Sequence, residues 1–439
     1  MTTATIFALA SAAGRAGVAV YRLSGPGAGE ALRRLSGHDL PPPRKAVRVR
    51  LKEPDGSDLD DGLALWFPAP HSFTGEDVVE LHLHGGRAVA QALAGALRVL
   101  GLRPAEPGEF SRRAFLNGKL DLTRAEAIAD LVDAETEAQR RQALRQMDGQ
   151  LAWLTEQWRS RLITALAHLE AVIDFSDEDI PDHLLEQARD EVTALARDLE
   201  RHLADGHRGE RLRDGIHMAI LGAPNAGKSS LLNRLAGRDA AIVSAQAGTT
   251  RDVIEIHLDL KGWPVVLADT AGLREAACEI EAEGVRRALA RAEAADLKLA
   301  VFGGGEVDAA TRHVIDGATV VVVNKLDLLA GPPPAEIDGR PVVALSARTG
   351  EGVERLLDLL AGEVEARFAV GTAPVLTRAR HRAAVEDCRA ALGRFDPGLG
   401  PELAAEDLRL AASALGRITG RVNVDEVLDV IFHEFCIGK

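Results

Sequence analysis

Cysteine is scarce. The chain has three in 439 residues, Cys278, Cys388 and Cys436, widely spaced and odd in number. That argues against a disulfide framework and against a cysteine-based zinc site, and for a reducing compartment, so a cytoplasmic protein is expected. Long apolar runs are also missing: none approaches the ~20 residues of a membrane-spanning helix, and the first residues lack the pattern of a secretory signal. Positive charge is in deficit, with 52 Lys and Arg against 66 Asp and Glu for a net charge of −14. No global basic field draws such a chain to nucleic acid. An RNA substrate would have to be gripped by a local basic face or with a partner's help. The length suggests roughly two to four domains.

The most informative stretch is Gly222-Ala-Pro-Asn-Ala-Gly-Lys-Ser229, which has the spacing of a P-loop, G-x-x-x-x-G-K-[ST]. An apolar run, Ile216 to Leu221, precedes it, and a helical run starting at Ser229 follows. In that strand–loop–helix setting, backbone N–H groups and the helix N-terminus point at phosphate oxygens. Asn225, Ala226, Gly227, Lys228, Ser229 and Ser230 are therefore candidate contacts to a nucleotide's phosphates, with Lys228 also counted among the catalytic groups.

Later segments name the base. Asp269-Thr-Ala-Gly272 fits D-x-x-G, where Asp269 reaches Mg²⁺ through water and the Gly272 amide senses the γ-phosphate. Asn324-Lys325-Leu-Asp327 fits N-K-x-D, whose Asp accepts two hydrogen bonds from the guanine N1–H and amine, donors that adenine does not offer. Ser346-Ala347-Arg348 fits the closing S-A-x element, whose backbone supports guanine O6. Between them, Gly248-Thr249-Thr250-Arg-Asp252 offers a switch with a Mg²⁺-binding threonine. Five such segments in order predict a GTPase.

Leu273 follows D-x-x-G where Ras-type switches carry a water-positioning glutamine. Glu275, Glu279, Glu281 and Glu283 are candidates to replace it, and each also reads as a solvated carboxylate at a helix start. Asn225 with Thr249 offers ligands for a monovalent cation beside the phosphates, where positive charge stabilises the transition state as an arginine finger does.

Around this unit, 1–118 alternates short apolar runs with Gly and Pro. Strands are expected at Ile6–Ala10, Val18–Leu23, Val47–Leu51, Leu63–Phe67 and Val78–His84, and a helix at Ala88–Leu100. From Thr123 to about Ile173 Gly and Pro nearly vanish and helical spacing takes over, with Thr123 as the expected N-cap and Glu126 at the capping-box position. Helical patterns recur at Leu184–Leu203, Arg378–Leu392 and Glu406–Phe435. The expected class is α+β multidomain: an α+β module at 1–118, a helical domain in two segments at 119–213 and 365–439, and a Ras-like α/β P-loop domain inserted at 214–364. His82 and His84, on one strand face, suggest a metal only weakly, because no third ligand sits at motif spacing. The acidic run Asp174–Asp179 reads as a helix-ending loop.

Further markers lie outside the P-loop unit: Phe73-Thr-Gly-Glu-Asp77, His84-Gly-Gly86, Pro107-Gly-Glu-Phe110, Arg113-Ala-Phe-Leu-Asn-Gly-Lys-Leu-Asp-Leu122, Ala125-Glu-Ala-Ile-Ala-Asp130 and Phe435-Cys-Ile-Gly-Lys439. With them the chain resembles the tRNA-modification GTPase family MnmE, or TrmE, over nearly its whole length. The resemblance implies a homodimer built through N-terminal folate-binding modules. It also implies a tetrahydrofolate one-carbon donor (5-formyl or methylene) and an FAD-dependent partner, MnmG or GidA. The complex would place an aminomethyl-type group on C5 of the wobble uridine of certain tRNAs. K⁺ and dimerisation of the GTPase domains would stimulate hydrolysis. Carried over residue by residue, Asn225 and Thr249 are K⁺ ligands with the carbonyls of Ser244 and Gln246, and Ser229 and Thr250 bind Mg²⁺. Glu281 orients the hydrolytic water, Arg22, Glu80, Lys119 and Lys439 contact folate, and Cys436 is tied to the modification step. Without the resemblance, Glu80 reads as a surface residue of an alternating strand. A regulatory switch in ribosome assembly or stress signalling without group transfer is the competing class; a folate-dependent transferase with the GTPase as a clamp is a third.

Overall fold

A computed structural model describes residues 4–174, 183–237, 241–242, 255–269, 293–304, 306–369, 371, 373–422, 428, 431–432, 435 and 438. In chain order the first elements are β1 (Ile6–Leu9), β2 (Ala16–Ser24), α1 (Ala28–Ser36), β3 (Val47–Lys52), β4 (Asp58–Phe67), β5 (Val78–Gly85), α2 (Arg87–Val99), β6 (Arg103–Pro104) and α3 (Glu109–Leu116). Then come α4 (Leu122–Asp133), α5 (Glu137–Met147), α6 (Gln150–Asp174), α7 (His183–Leu203) and α8 (Arg208–Asp214). The P-loop region follows as β7 (Ile216–Leu221), α9 (Lys228–Ala236), β8 (Ala241–Ile242), β9 (Glu255–Leu260), β10 (Trp263–Asp269), β11 (Leu297–Gly303), α10 (Ala309–His313), β12 (Thr319–Asn324), β13 (Glu336–Ile337), β14 (Arg340–Ala344) and α11 (Val353–Phe368). Last are α12 (Ala379–Arg394) and α13 (Pro401–Thr419).

The chain forms two compact units. One comprises Met1–Ala129, Met147–Ala188 and Arg394–Lys439. Its sheet runs β3-β4-β5-β2-β1-β6. Alternation along β2 and β5 turns Tyr21, Leu23, Val79, Leu81 and Leu83 to one face, where they pack on Leu32 and Leu35 of α1 and Leu93 and Leu97 of α2. The opposite face is left with Arg22, Glu80 and His82. In the same unit α6 and α13 run together, tied by Arg409 to Glu170 at 3.1 Å, and Arg421 just past the end of α13 reaches Glu156 of α6 at 3.2 Å. Leu428, Ile431, Phe432 and Phe435 of the C-terminal segment pack on Leu122 and Ala125.

The other unit comprises Asp130–Gln146 and Arg189–Gly393. Its sheet runs β13-β14-β12-β11-β7-β10-β9-β8, with β10, β7, β11, β12 and β14 parallel. Both faces are covered, so β12, Thr319-Val-Val-Val-Val-Asn324, is buried at every position. Arg213 and Arg378 both reach Asp130, at 3.0 and 2.7 Å, and Arg382 reaches Asp205 at 2.7 Å, which fastens the helical segments of this unit to one another. Among the described residues no helix is long and apolar enough to cross a membrane.

Three helix expectations are corrected. The stretch from Thr123 is three helices, because local caps win over the long pattern. Thr136 and Gln139 form a capping box that starts α5, with Thr136 N–H to Gln139 Oε1 at 3.1 Å and Gln139 N–H to Thr136 Oγ1 at 3.5 Å. Gly149, at φ +86°, then separates α5 from α6, and a Cβ there would lie 2.4 Å from Arg124 Nη2. The N-cap of α4 is Asp121, whose Oδ1 accepts from Arg124 N–H at 3.1 Å and from Thr123 Oγ1–H at 2.5 Å; Thr123 is already inside the helix. The pattern from Glu406 to Phe435 also breaks: α13 starts earlier, at Pro401, and ends at Gly420, whose N–H closes on the Gly416 carbonyl.

Candidate functional site

The P-loop leaves the carboxyl end of β7 and enters α9, at the edge of the parallel sheet where such folds hold ligands. Gly227 is obligatory. Its φ is +93°, and a Cβ would lie 2.1 Å from Asn324 Nδ2. Asn225 also sits in the left-handed region, at φ +65°, which short polar side chains tolerate. Lys228 Nζ donates to the carbonyls of Gly222 at 2.7 Å and Ala223 at 2.9 Å, so its ammonium is folded over the loop. Ser229 and Ser230 occupy the first turn of α9, whose open N–H groups suit phosphate.

Asn324 is the hub that joins the P-loop to the S-A-x loop. Its Nδ2 donates to the Ala226 carbonyl at 3.0 Å, and its Oδ1 accepts from the N–H of Lys325 at 2.8 Å and of Ala347 at 2.9 Å. The asparagine is 2% exposed, so these bonds meet little competition from water. Asp327 faces the same loop: Ser346 Oγ–H donates to its Oδ1 at 2.6 Å, and Arg348 Nη2 lies 3.0 Å from its Oδ2. The Ser346 hydroxyl first, and Arg348 to a smaller degree, holds the Asp327 carboxyl below its ordinary range. It is thus an anionic hydrogen-bond acceptor. Arg234 on α9 reaches across to the same loop, with Nε donating to the Ala347 carbonyl at 2.9 Å and Nη2 to the Arg348 carbonyl.

Asp269 ends β10 in register with Ile220, two residues before the P-loop. Glu281, Ser244, Gln246, Thr249, Thr250 and Gly272 lie outside the described residues, as do Cys436, Lys439, Cys278, Leu273 and 175–179 of the acidic run. Cys388 is a core residue of α12, and burial pushes its thiol up to about 12.

The N-terminal module carries a second constellation. Arg22 on β2 and Glu80 on β5 are direct cross-strand partners, and Arg22 Nη2 and Nε donate to Glu80 Oε1 at 2.9 and 3.0 Å. The guanidinium also lies over two rings, 5.2 Å from the Phe73 centroid and 5.8 Å from that of Phe110. His82 stands beside them, its Nε2 3.8 Å from Glu80 Oε2, buried and without a hydrogen bond. Lys119 does not join the pair directly. Its Nζ donates to the Pro70 carbonyl at 2.9 Å, on the loop that delivers Phe73. His84 instead pairs with Asp60, Nδ1 to Oδ1 at 2.8 Å. In the tail, Gly438 backs onto Leu9 and Ala10 at the end of β1.

Two groups escaped the sequence reading. Arg113, 7% exposed at the side chain, joins Glu76 at 3.0 Å, Glu109 at 2.8 Å and the Ala4 carbonyl at 2.8 Å, and so braces the Phe73 loop against the helix that carries Phe110. Arg234 is the other. Both lie in stretches rich in motif residues, but one arginine among several carries no signal until its partners fold around it.

A sheet with a parallel core, a P-loop after β7, an N-K-x-D asparagine at the end of β12 and an S-A-x loop after β14 is the guanine-nucleotide-binding fold of a P-loop GTPase. The profile of the MnmE helical domain matches residues 122–436, and that of the GTP-binding protein TrmE N-terminus matches residues 5–119. The chain belongs to the MnmE family of tRNA modification GTPases. A tRNA modification GTPase MnmE of Paramagnetospirillum magneticum is 73% identical over 438 residues, covering 99% of each chain. That of Parvibaculum lavamentivorans is 58% identical over 442 residues, covering 99% of this chain and 100% of the other. Among solved structures, the G domain of the T. maritima FeoB iron transporter is 25% identical and covers 34% of this chain and 98% of that one, at a TM-score of 0.26, too loose a superposition to add to the sequence match.

Proposed function

We propose that this chain is the GTP-hydrolysing subunit of a complex that installs an aminomethyl- or carboxymethylaminomethyl-type group on C5 of the wobble uridine of tRNA, using a one-carbon unit from tetrahydrofolate. The observation that carries the folate half is the Arg22–Glu80 pair under Phe73 and Phe110, with the buried His82 Nε2 lacking a hydrogen bond beside it. A flat heterocycle with donor and acceptor edges fits such a place. Its ring stacks on the aromatic walls, its edge pairs with Glu80, and an anionic tail suits Arg22, Lys119 or Lys439. The GTP half is supported by the glycine cradle closed by Asn324 and by the anionic Asp327.

In this reading Asn225 to Ser230 hold the phosphates. Ser229 and Thr250 would hold Mg²⁺, with Asp269 in support, and Gly272 would sense the γ-phosphate. Asn324, Lys325, Asp327, Ser346, Ala347 and Arg348 surround the base. When bound there, the metal would supply neutralisation of the charge that develops on the phosphates. Asn225, Thr249 and the carbonyls of Ser244 and Gln246 hold K⁺, and Glu281 orients the attacking water. The protein acts in the cytoplasm as a homodimer with the FAD-dependent MnmG protein and tRNA. Its domains are 1–118, 119–213 with 365–439, and 214–364.

The test is mass spectrometry of wobble nucleosides from cells lacking this chain. Complementation by the native chain is expected to restore the modified uridine, and complementation by Glu281→Ala or Arg22→Ala is not. Unmodified levels of the nucleoside in the presence of the native chain, or full restoration by both variants, would refute the reading.

A further inference from the structure

The sequence assigns Arg348 only a backbone position in the S-A-x loop, yet its side chain has a place of its own. The Asp327 carboxylate, the base reader in the function proposed above, is 13% exposed and has two side-chain partners among the described residues. Ser346 Oγ–H holds Oδ1 at 2.6 Å, a bond from an uncharged donor that orients the group. Arg348 Nη2 lies on Oδ2 at 3.0 Å, while the Arg348 side chain itself is 78% exposed. The loop backbone beneath it is held by Arg234, which donates to the carbonyls of Ala347 and Arg348. Thus the backbone is clamped, and among the described residues the guanidinium is tethered at one oxygen, by a flexible stem in solvent.

We propose that Arg348 is a specificity-determining counter-ion gate on the base-reading carboxylate. Guanine needs two acceptor positions on Asp327, and the guanidinium competes for one of them. A ligand edge with two donors displaces it; an edge with a single donor, or none, does not repay the charge-assisted bond it breaks. The fraction of molecules in which the guanidinium stands aside sets the apparent affinity. Because the cation is mostly exposed, the pair is of the weak, screened kind, which corresponds to about a two- to fivefold effect on affinity.

The inference rests on the assignment of Asp327 as base reader, so the experiment tests both. Dissociation constants are measured on the full chain for GDP with native protein and Arg348→Met, and for xanthosine diphosphate with Asp327→Asn and the Asp327→Asn, Arg348→Met double variant. Methionine keeps the apolar stem, so any packing of the stem on the base survives. The expected result is tighter GDP binding by about two- to fivefold in Arg348→Met, and no change for xanthosine diphosphate between the two Asp327→Asn proteins, where no carboxylate remains to be gated. Unchanged or weaker GDP binding in Arg348→Met overturns the gate. So does equal tightening in both backgrounds, which would mark an effect independent of Asp327. If Asp327→Asn gains no preference for xanthine, the base assignment itself fails and the gate with it.

Discussion

Arg113 is the side chain whose loss is expected to cost the N-terminal module most. Replacing it by methionine keeps much of the volume and removes the charge. The guanidinium is 7% exposed and bonded to Glu76 at 3.0 Å, Glu109 at 2.8 Å and the Ala4 carbonyl at 2.8 Å. Breaking one side of a buried ion pair costs about 3–5 kcal/mol, because the partners stay buried and charged. Here both carboxylates keep other donors: Ser24 Oγ at 2.7 Å from Glu76, and Arg103 at 2.5 and 2.8 Å from Glu109. The lower end, about 3 kcal/mol, is therefore the expected loss. A chain with two compact units does not melt as one, so the assay is peptide-resolved hydrogen exchange. Protection in peptides from β2 and α3 is expected to fall about a hundredfold, since each 1.4 kcal/mol is roughly tenfold, while α9 and α11 are unaffected. A pH series adds a sign. Burial by itself raises the Glu109 carboxyl, but Arg103 first, then the Glu106 N–H and Arg113, bring it below its ordinary value. A carboxyl depressed in the folded state stabilises above its unfolded pKa, about 4.3, and loses that contribution as pH falls through the lower folded value. The difference between native protein and variant is thus largest above about pH 5 and narrows in acid. Protection of the β2 and α3 peptides unchanged within about threefold, or a gap that widens in acid, would refute the role given to Arg113.

Gly227→Ala places a methyl where 2.1 Å separates it from Asn324 Nδ2, at a φ of +93°; nucleotide affinity by equilibrium dialysis is expected to drop at least about tenfold, and native affinity would contradict the cradle. Glu281→Ala is expected to slow GTP hydrolysis in single-turnover assays while GTP binding stays within a few-fold, and a normal rate would remove its role. Exchanging K⁺ for Na⁺ is expected to cut turnover strongly; equal rates would remove the cation site. Cys388, with its thiol pushed up to about 12 by burial, is expected to resist iodoacetamide at pH 8 in the folded chain and to react on unfolding; labelling of native protein at a free-cysteine rate would show that α12 opens.

What was legible in the sequence was what acts through contiguous backbone. A P-loop needs its glycines, lysine and serine side by side, because the cradle is a local run of N–H groups ahead of a helix, and Gly222 to Ser229 can be read without knowing the rest of the fold. The N-K-x-D segment was legible for a related reason: Asn324 and Asp327 sit three apart at the end of one strand. Strands β1 to β5 also followed from alternation, to within a few residues except at the start of β4. Helix ends near Thr136 and Gly149 carried their own local signals, which the long apolar period concealed. Tertiary structure alone decided which distant groups meet. Asn324 closes on Ala226, 98 positions away, and Arg113 reaches Glu76, 37 positions away. Arg22 meets Glu80 across 58 positions because two strands align in one register. No local preference encodes such pairs; only the sheet order and the buried faces that enforce it bring them together, and that is where the glycine at 227 and the arginine at 348 acquire their constraints.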